Sequence, residues 1–183
     1  MSIRFATQED VPAMLSVYAP YVRETAYSFE YEPPALEEFA RRFTAITAQF
    51  PWLVWEEEGQ VQGYAYGSAP FTRAAYSWCA EVSIYLTPQI QGRGIGRALY
   101  AALEELLDRQ GYHLVYAIVT SQNTASLAFH QAVGYKIFAN FPDCAYKFGR
   151  NFGITWLEKR LKPVENPSNF PVPIASVVKS DKN

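Results

Sequence analysis

Gln91-Gly92-Arg93-Gly94-Ile95-Gly96 sets three glycines in five positions and then runs straight into a helical pattern. Glycine loses more backbone freedom on folding than any other residue, so alternate glycines mark a close approach to the main chain. A glycine-rich turn that opens a helix is an anion site, because its N–H groups and the positive end of the helix dipole face the same volume. The implied chemistry is phosphate binding, with the glycines at 92, 94 and 96 as clearance, and two common versions of it fail on spacing. A P-loop ends in Gly-Lys-Ser/Thr, whereas Gly96 is followed by Arg97-Ala98. A dinucleotide fingerprint needs glycine or alanine three residues after its second glycine, and the residues found there are Arg97 or Leu99. The next strand also ends in Thr120-Ser121, with no acid to hold a ribose. Glu81 is the other residue whose place suggests chemistry. It lies mid-strand between Ala80 and Val82, where a carboxylate needs a partner or a function.

These residues depend on the elements around them. "SWCAEVSIYL" reads as the strand that carries Glu81, and Pro88 ends it. Residues 94–109 form an amphipathic pattern with Ile95, Leu99, Ala102, Leu103 and Leu106 on one face and Gly111 just past its end. "YHLVYAIVT" is a continuous apolar run, expected of a strand covered on both faces, and a short helix follows from about 124 to 133, closed by Gly134. Upstream, "SIRFA" is a first strand. Thr7 and Asp10 then make a capping-box-like start to a helix striped by Val11, Met14, Leu15, Tyr18 and Val22. Pro20 is expected to kink or split it. Pro33 and Pro34 open the next helix, with Leu36, Phe39, Phe43 and Ile46 at helical spacing. "WLVWEEEGQVQGYAYGSA" gives two strands around a Glu58-Gly59 turn, and "YKIFANF" and "GITWLEKRL" give two more. The order β-α-α-β-β-β-α-β-α-β-β is that of an α/β layered domain with a mixed sheet, which we assign to residues 1–162. Residues 163–183 hold four prolines without hydrophobic periodicity and read as a surface-hugging arm or a disordered tail.

Composition narrows the function. With 183 residues, 49% of them hydrophobic, the chain suits one globular domain with a full core. A net charge of -2 argues against a nucleic-acid partner. The sequence holds no apolar run of about 18 residues, so no membrane span is expected. The start "MSIRFATQEDVPAML" carries acids and lacks an apolar h-region, so a cytoplasmic location is expected. Cys79 and Cys144 are far apart and read as reduced thiols, and His113 and His130 belong to no HExxH or Cys/His cluster, so no metal is expected.

The glycine-rich stretch resembles, residue for residue, the Q/R-x-x-G-x-G/A loop of the GNAT acetyltransferases. Glu81 precedes it at the family's distance, and "NTASLAFHQAVGY" is similar to the family's N-x-x-[A/S]-…-Y-x-x-x-G-[F/Y] segment. The element order is also the family's. "PWLVWEEEGQVQGYAYGSAPFTRAAYSWCAEVSIYL" resembles, more narrowly, the branch that acetylates phosphinothricin and methionine sulfoximine, and the likeness runs from about Ile3 to Leu161. The resemblance implies the GNAT fold, acetyl-CoA as co-substrate, no metal, and acetyl transfer to the α-amino group of a small amino-acid analogue. It also implies a homodimer.

Roles for individual residues follow from the same resemblance. A free α-amine is mostly protonated at neutral pH, so direct transfer needs a base, and the family's catalytic glutamate falls on Glu81. A core-edge acid paired with an arginine is the structural alternative. The backbone of Ile84, Tyr85 and Leu86 is expected to pair with the pantetheine arm as an added strand would, and to polarise the thioester carbonyl. The family's loop amides hold pyrophosphate, which puts Gln91, Gly92, Arg93, Gly94, Ile95, Gly96 and Arg97 at the coenzyme. Arg93 and Arg97 are equally readable as solvated arginines at a helix start. Asn123 resembles the asparagine that bonds the coenzyme arm, with Ser126 beside it, and helix capping is its other role.

His130 stands where the wider family carries a tyrosine thought to protonate the leaving thiolate, and histidine is usual there in the branch. A protonated imidazole can donate near neutral pH, while a packing histidine is the alternative. Arg73, in "APFTRAAYSW", matches an arginine of the branch suited to clamping the acceptor's carboxylate or phosphinyl group. Phe29 and Glu30 resemble the segment that walls the acceptor pocket. Where the branch carries an acid near the start of its last strand, this chain has Gly153. Two other functions stay open: a GNAT enzyme for a polyamine, aminoglycoside or protein N-terminus, and a non-catalytic acyl-CoA-binding module.

Overall fold

Helices with one apolar stripe need a surface to cover, and here a seven-stranded sheet serves the first four of them. The computed structural model of the chain describes residues 1–163 and 169–180; residues 164–168 and 181–183 of the proline-rich segment lie outside the described residues. The strands are β1 (Ser2–Phe5), β2 (Trp52–Glu57), β3 (Gln60–Ser68), β4 (Cys79–Leu86), β5 (Leu114–Thr120), β6 (Lys136–Lys147) and β7 (Arg150–Arg160). The helices are α1 (Val11–Glu24), α2 (Leu36–Thr47), α3 (Ile95–Gln110), α4 (Thr124–Ala132) and α5 (Ile174–Ser180). Through β7 the order is the predicted one. The sheet runs β1-β2-β3-β4-β5-β7-β6, and β4–β5 is its one parallel pair.

Strand alternation gives the sheet two faces. On one, Leu99, Leu103 and Leu107 of α3 pack over Leu53, Ala65, Val82, Val115 and Leu157. On the other, α1 and α2 cover only the first strands, where Met14, Tyr18, Phe39 and Phe43 meet Trp52, Val54 and Tyr64. The far half of that face carries exposed aromatics instead. Tyr116 lies 5.6 Å from Phe138 and 5.7 Å from Trp156, ring centre to ring centre, and Phe71 stacks on Trp156 at 6.1 Å.

Several sequence expectations shift. The capping box of Thr7 and Asp10 forms around a 3-10 turn at Gln8–Asp10 that leads into α1. Pro20 neither splits nor ends α1, which is continuous, because it sits on the exposed side and costs one backbone bond without opening the core. Pro33 and Pro34 precede α2, which begins at Leu36 after an extended Ala35. The last two strands are longer than predicted. They form a hairpin around Phe148-Gly149, both at positive φ, and β6 passes Pro142 by means of a bulge with Asp143 at φ 51°. That bulge also explains Gly153: a Cβ there would lie 2.9 Å from the Phe141 carbonyl and 3.2 Å from Pro142 Cα.

The proline-rich segment is a docked arm over its described residues, with a helix that its composition concealed. Phe170 stacks on Trp78 at 4.8 Å, and Gln110 Nε2 donates to the carbonyls of Gln49 and Val172, each at 2.7 Å. Ile174 and Val177 of α5 are buried, and α5 lies against α3. Two apolar residues three apart are too few to register as a period. Among the described residues no helix is long and apolar enough to cross a membrane, and no group of three His, Cys, Asp or Glu side chains is placed to hold a metal ion.

Candidate active site

The parallel pair opens the site. β4 and β5 are paired only at Cys79↔Leu114, Ala80↔Val115 and Glu81↔Tyr116. Past that rung each strand continues, held on its outer edge by β3 or β7, while the inner edges part. The gap is a cleft lined by Val82–Tyr85 of β4 and Ala117–Thr120 of β5, with Asn123, Ser126 and His130 of α4 and Tyr100 of α3 above it. An inner edge without a ladder partner is the condition for an extended ligand to add as a strand. Ile84 and Tyr85 meet that condition. Leu86 differs, since its carbonyl accepts from the Tyr21 hydroxyl at 2.5 Å and from Gln91 Nε2 at 3.3 Å. Of the three residues expected to pair with the coenzyme arm, Leu86 thus has its carbonyl already engaged.

The three glycines have two different reasons. Gly92 and Gly94 have φ of 73° and 80°, and a Cβ at either would meet nothing within 4 Å, so the turn exposes its amides at the head of α3. Gly96 is inside the helix, and its Cβ would lie 3.2 Å from the Phe129 ring and 3.4 Å from Ile84 Cδ1. Clearance at Gly96 serves the packing of α3 on α4. Arg93 is committed to Glu57 by an ion pair at 2.7 Å, and the Trp55 indole N–H together with Arg93 holds the Glu57 carboxyl below its usual range. Arg97 donates to the Ala132 carbonyl at 3.3 Å from an exposed position. Asn123 caps α4, its Oδ1 accepting from Ser126 N at 3.1 Å. Its Nδ2 donates to no group among the described residues.

Glu81 sits on the last paired rung, half-buried, and among the described residues it has neither a hydrogen bond nor an ion pair. Burial pushes its carboxyl pKa up. The arginine partner of the structural alternative is not there. His130 is 3% exposed, and burial lowers its pKa below the usual 6.5. Its Nδ1 lies 2.7 Å from the Ser126 carbonyl, which accepts only from an N–H, so the neutral ring presents Nε2 as an acceptor. The Tyr100 hydroxyl, 3.0 Å away, is the donor that fills it. The protonated imidazole that could donate near neutral pH is thus disfavoured, and in this pair the proton sits on Tyr100 and is directed at His130 Nε2. Sequence reasoning missed Tyr100 because it falls among the apolar residues of a helical stripe.

The predicted acceptor residues are less gathered. Glu30 is held by Arg42 and by the Tyr18 hydroxyl at 3.1 Å, within a network behind the cleft. Phe29 packs on Phe152, ring centres 6.3 Å apart. Arg73 is exposed in the connection between β3 and β4 and does not line the cleft.

An anion-binding turn at the mouth of a slot with an open strand edge fits a coenzyme that joins phosphates to an extended amide arm. Comparison with known proteins agrees. Residues 3–156 match the acetyltransferase (GNAT) domain family. The chain is 36% identical over 162 residues to a phosphinothricin N-acetyltransferase of Alcaligenes faecalis, covering 87% of this chain and 82% of that one. It is 32% identical over 162 residues to an L-methionine sulfoximine/L-methionine sulfone acetyltransferase of Salmonella typhimurium, covering 88% and 95%. Its fold is similar to that of a GNAT superfamily phosphinothricin acetyltransferase from Sinorhizobium meliloti in complex with acetyl-CoA, with a TM-score of 0.85, 31% identity, and 91% and 95% of the two chains covered. The chain belongs to the GNAT acetyltransferase family and is an acetyl-CoA-dependent N-acetyltransferase.

Proposed function

We propose that the acceptor is the α-amino group of a small amino-acid analogue, of the phosphinothricin or methionine sulfoximine type, and that Glu81 is its base. The observation that carries the reading is the place of Glu81, half-buried and unpartnered at the rung where β4 and β5 part. A carboxylate whose pKa is raised by burial is a better proton acceptor than an exposed one. The kinship with enzymes named for phosphinothricin and methionine sulfoximine supports the acceptor class.

Acetyl-CoA supplies the activated acetyl thioester. The turn amides around Gly92 and Gly94 and the inner edge of β4 at Ile84 and Tyr85 hold it, with Asn123 Nδ2 free to donate to it. Glu81 takes the proton that the amine gives up, directly or through one water. As the amine nitrogen bonds to the acetyl carbon the C–S bond breaks, and the leaving thiolate takes up a proton from Tyr100 Oη, whose hydroxyl turns to it from His130 Nε2. A thiol-release assay tests the acceptor: methionine sulfoximine and phosphinothricin are expected to be turned over well ahead of spermidine, and a preference for spermidine overturns the reading.

The bare aromatic half of the sheet supports pairing with a second copy. Phe138 and Phe141 are about half exposed beside Tyr116 and Trp156, and a cluster of exposed aromatic rings is suited to an interaction surface. Light scattering on the purified protein is expected to give the mass of a dimer, and Phe138→Glu the mass of a monomer. A monomeric parent protein at micromolar concentration removes this part of the proposal.

A further inference from the structure

A second cavity adjoins the acetyl cleft. It is open to solvent on one side and has a volume of about 250 Å³, and Tyr27 and Thr120 line both. Its walls are the end of α1 with the turn after it, Glu24 to Tyr27, and the tip of the β6–β7 hairpin, where Phe148, Arg150 and Phe152 face it. The two walls are fixed relative to each other from below. Lys147 is buried, and its Nζ donates to the carbonyls of Val22, Thr25 and Ser28 at 2.7, 2.9 and 2.7 Å. The Thr120 hydroxyl donates to the Ala26 carbonyl at 2.6 Å. A buried ammonium with three backbone acceptors keeps the hairpin and the turn at one separation.

Among the described residues Arg150 is the one cationic side chain that lines this cavity. Its guanidinium lies 4.7 Å from the centre of the Phe152 ring, and Phe152 is itself buried against Phe29. Among the described residues no carboxylate pairs with Arg150, although Glu24 lines the same cavity. A guanidinium held on an aromatic face with its donors free is suited to bidentate recognition of an oxyanion.

We propose that Arg150 determines acceptor specificity by binding the acid group of the acceptor, carboxylate or phosphinate, in this cavity. The amine then reaches the acetyl cleft past Tyr27 and Thr120. The inference rests on the amino-acid-analogue reading above, and it adds an anion contact at the hairpin tip to the one expected of Arg73.

Steady-state kinetics on the full chain test it, with methionine sulfoximine, its α-carboxamide and phosphinothricin as acceptors for the parent protein, Arg150→Ala and Arg150→Lys. The parent is expected to prefer methionine sulfoximine over its amide. Arg150→Ala should raise the KM for the acid about tenfold or more and erase that preference, with the KM for acetyl-CoA and the melting temperature unchanged. Arg150→Lys should recover part of the loss. The acid-to-amide ratio is taken within one preparation, so partial unfolding does not distort it. A loss confined to phosphinothricin assigns Arg150 to the phosphinate, and a loss on both acids assigns it to the carboxylate. An unchanged KM for both acids in Arg150→Ala overturns the inference and leaves the acceptor reading standing. A parent protein that acetylates neither acid overturns both.

Discussion

Tyr100 and His130 meet across the seam between α3 and α4, Oη to Nε2 at 3.0 Å, with the far ring nitrogen of His130 tied to the Ser126 carbonyl. The bond at Nδ1 fixes the tautomer, and the tautomer fixes which way the Tyr100 proton points. Two side chains that act as a unit do not add. Tyr100→Phe and His130→Asn are each expected to lower kcat on the order of 100-fold, and the double variant should be little worse than either single one. Multiplying losses in the double variant would mean separate roles.

The same histidine ties stability to pH. Its pKa in the folded protein lies below the ordinary 6.5, so the unfolded chain binds the extra proton more readily. Its contribution is complete above pH 6.5 and is lost as pH falls from there toward the folded value. Melting temperatures from pH 7.5 to 5.5 should therefore drop more steeply for the parent protein than for His130→Asn. Parallel curves would mean that His130 titrates normally.

Glu81 has the opposite sign. Burial raises its pKa above the ordinary 4.5, so the ionised form costs stability once pH exceeds the folded value. Glu81→Gln should lower kcat by about 100-fold to 10,000-fold at neutral pH, retain coenzyme binding by calorimetry, and melt no lower than the parent. Its pH–rate profile should also lose the acidic limb. A variant with parental kcat would remove Glu81 from the reaction.

The glycines of the turn should separate into two phenotypes. Gly92→Ala and Gly94→Ala force a side chain into the left-handed region, at roughly 1–2 kcal/mol each, and disturb the amides, so the KM for acetyl-CoA should rise. Gly96→Ala brings a methyl to 3.2 Å from the Phe129 ring and should act mainly by lowering the melting temperature. A Gly96→Ala variant with parental stability and a raised coenzyme KM would return that glycine to the phosphate.

The C-terminal arm is expected to be structural. Ending the chain at Lys162 uncovers α3 where Ile174 and Val177 lie and removes an acceptor from Gln110. The loss should be on the order of 2–3 kcal/mol in chemical denaturation, net of the entropy that the arm regains. The KM for acetyl-CoA should stay near parental in the folded fraction. Unchanged stability would show that the arm rests on the domain without supporting it.

Spacing made the glycine turn legible as a phosphate site, and the resemblance to the GNAT family made it a coenzyme site, with Glu81 and Asn123 given their roles. The glycine turn, Glu81 before it and Asn123 after it lie on regular elements whose periods are visible, so their positions follow once the strands are placed. The acceptor half was harder to read. Arg150 and Lys147 flank a two-residue hairpin turn in a stretch that reads as loop, and β6 crosses Pro142 only by bulging. Tyr100 was hidden for another reason: a tyrosine in a helical stripe looks like core until its hydroxyl is seen to have a partner. The helix in the arm escaped because Ile174 and Val177 are too few to show a period.

Most neighbouring strands in this sheet are antiparallel, but β4 and β5 are parallel, and a parallel neighbour cannot be reached by a tight turn. The chain must cross over through α3, and the crossover begins at the glycine turn. One topological choice thus yields both a slot and a cradle at its mouth, without a residue dedicated to keeping them in register. The acceptor's walls belong to a turn and a hairpin tip outside that crossover. Exchanging Glu24–Tyr27 or the hairpin tip should therefore retarget the enzyme to new amines while the coenzyme machinery stays as it is.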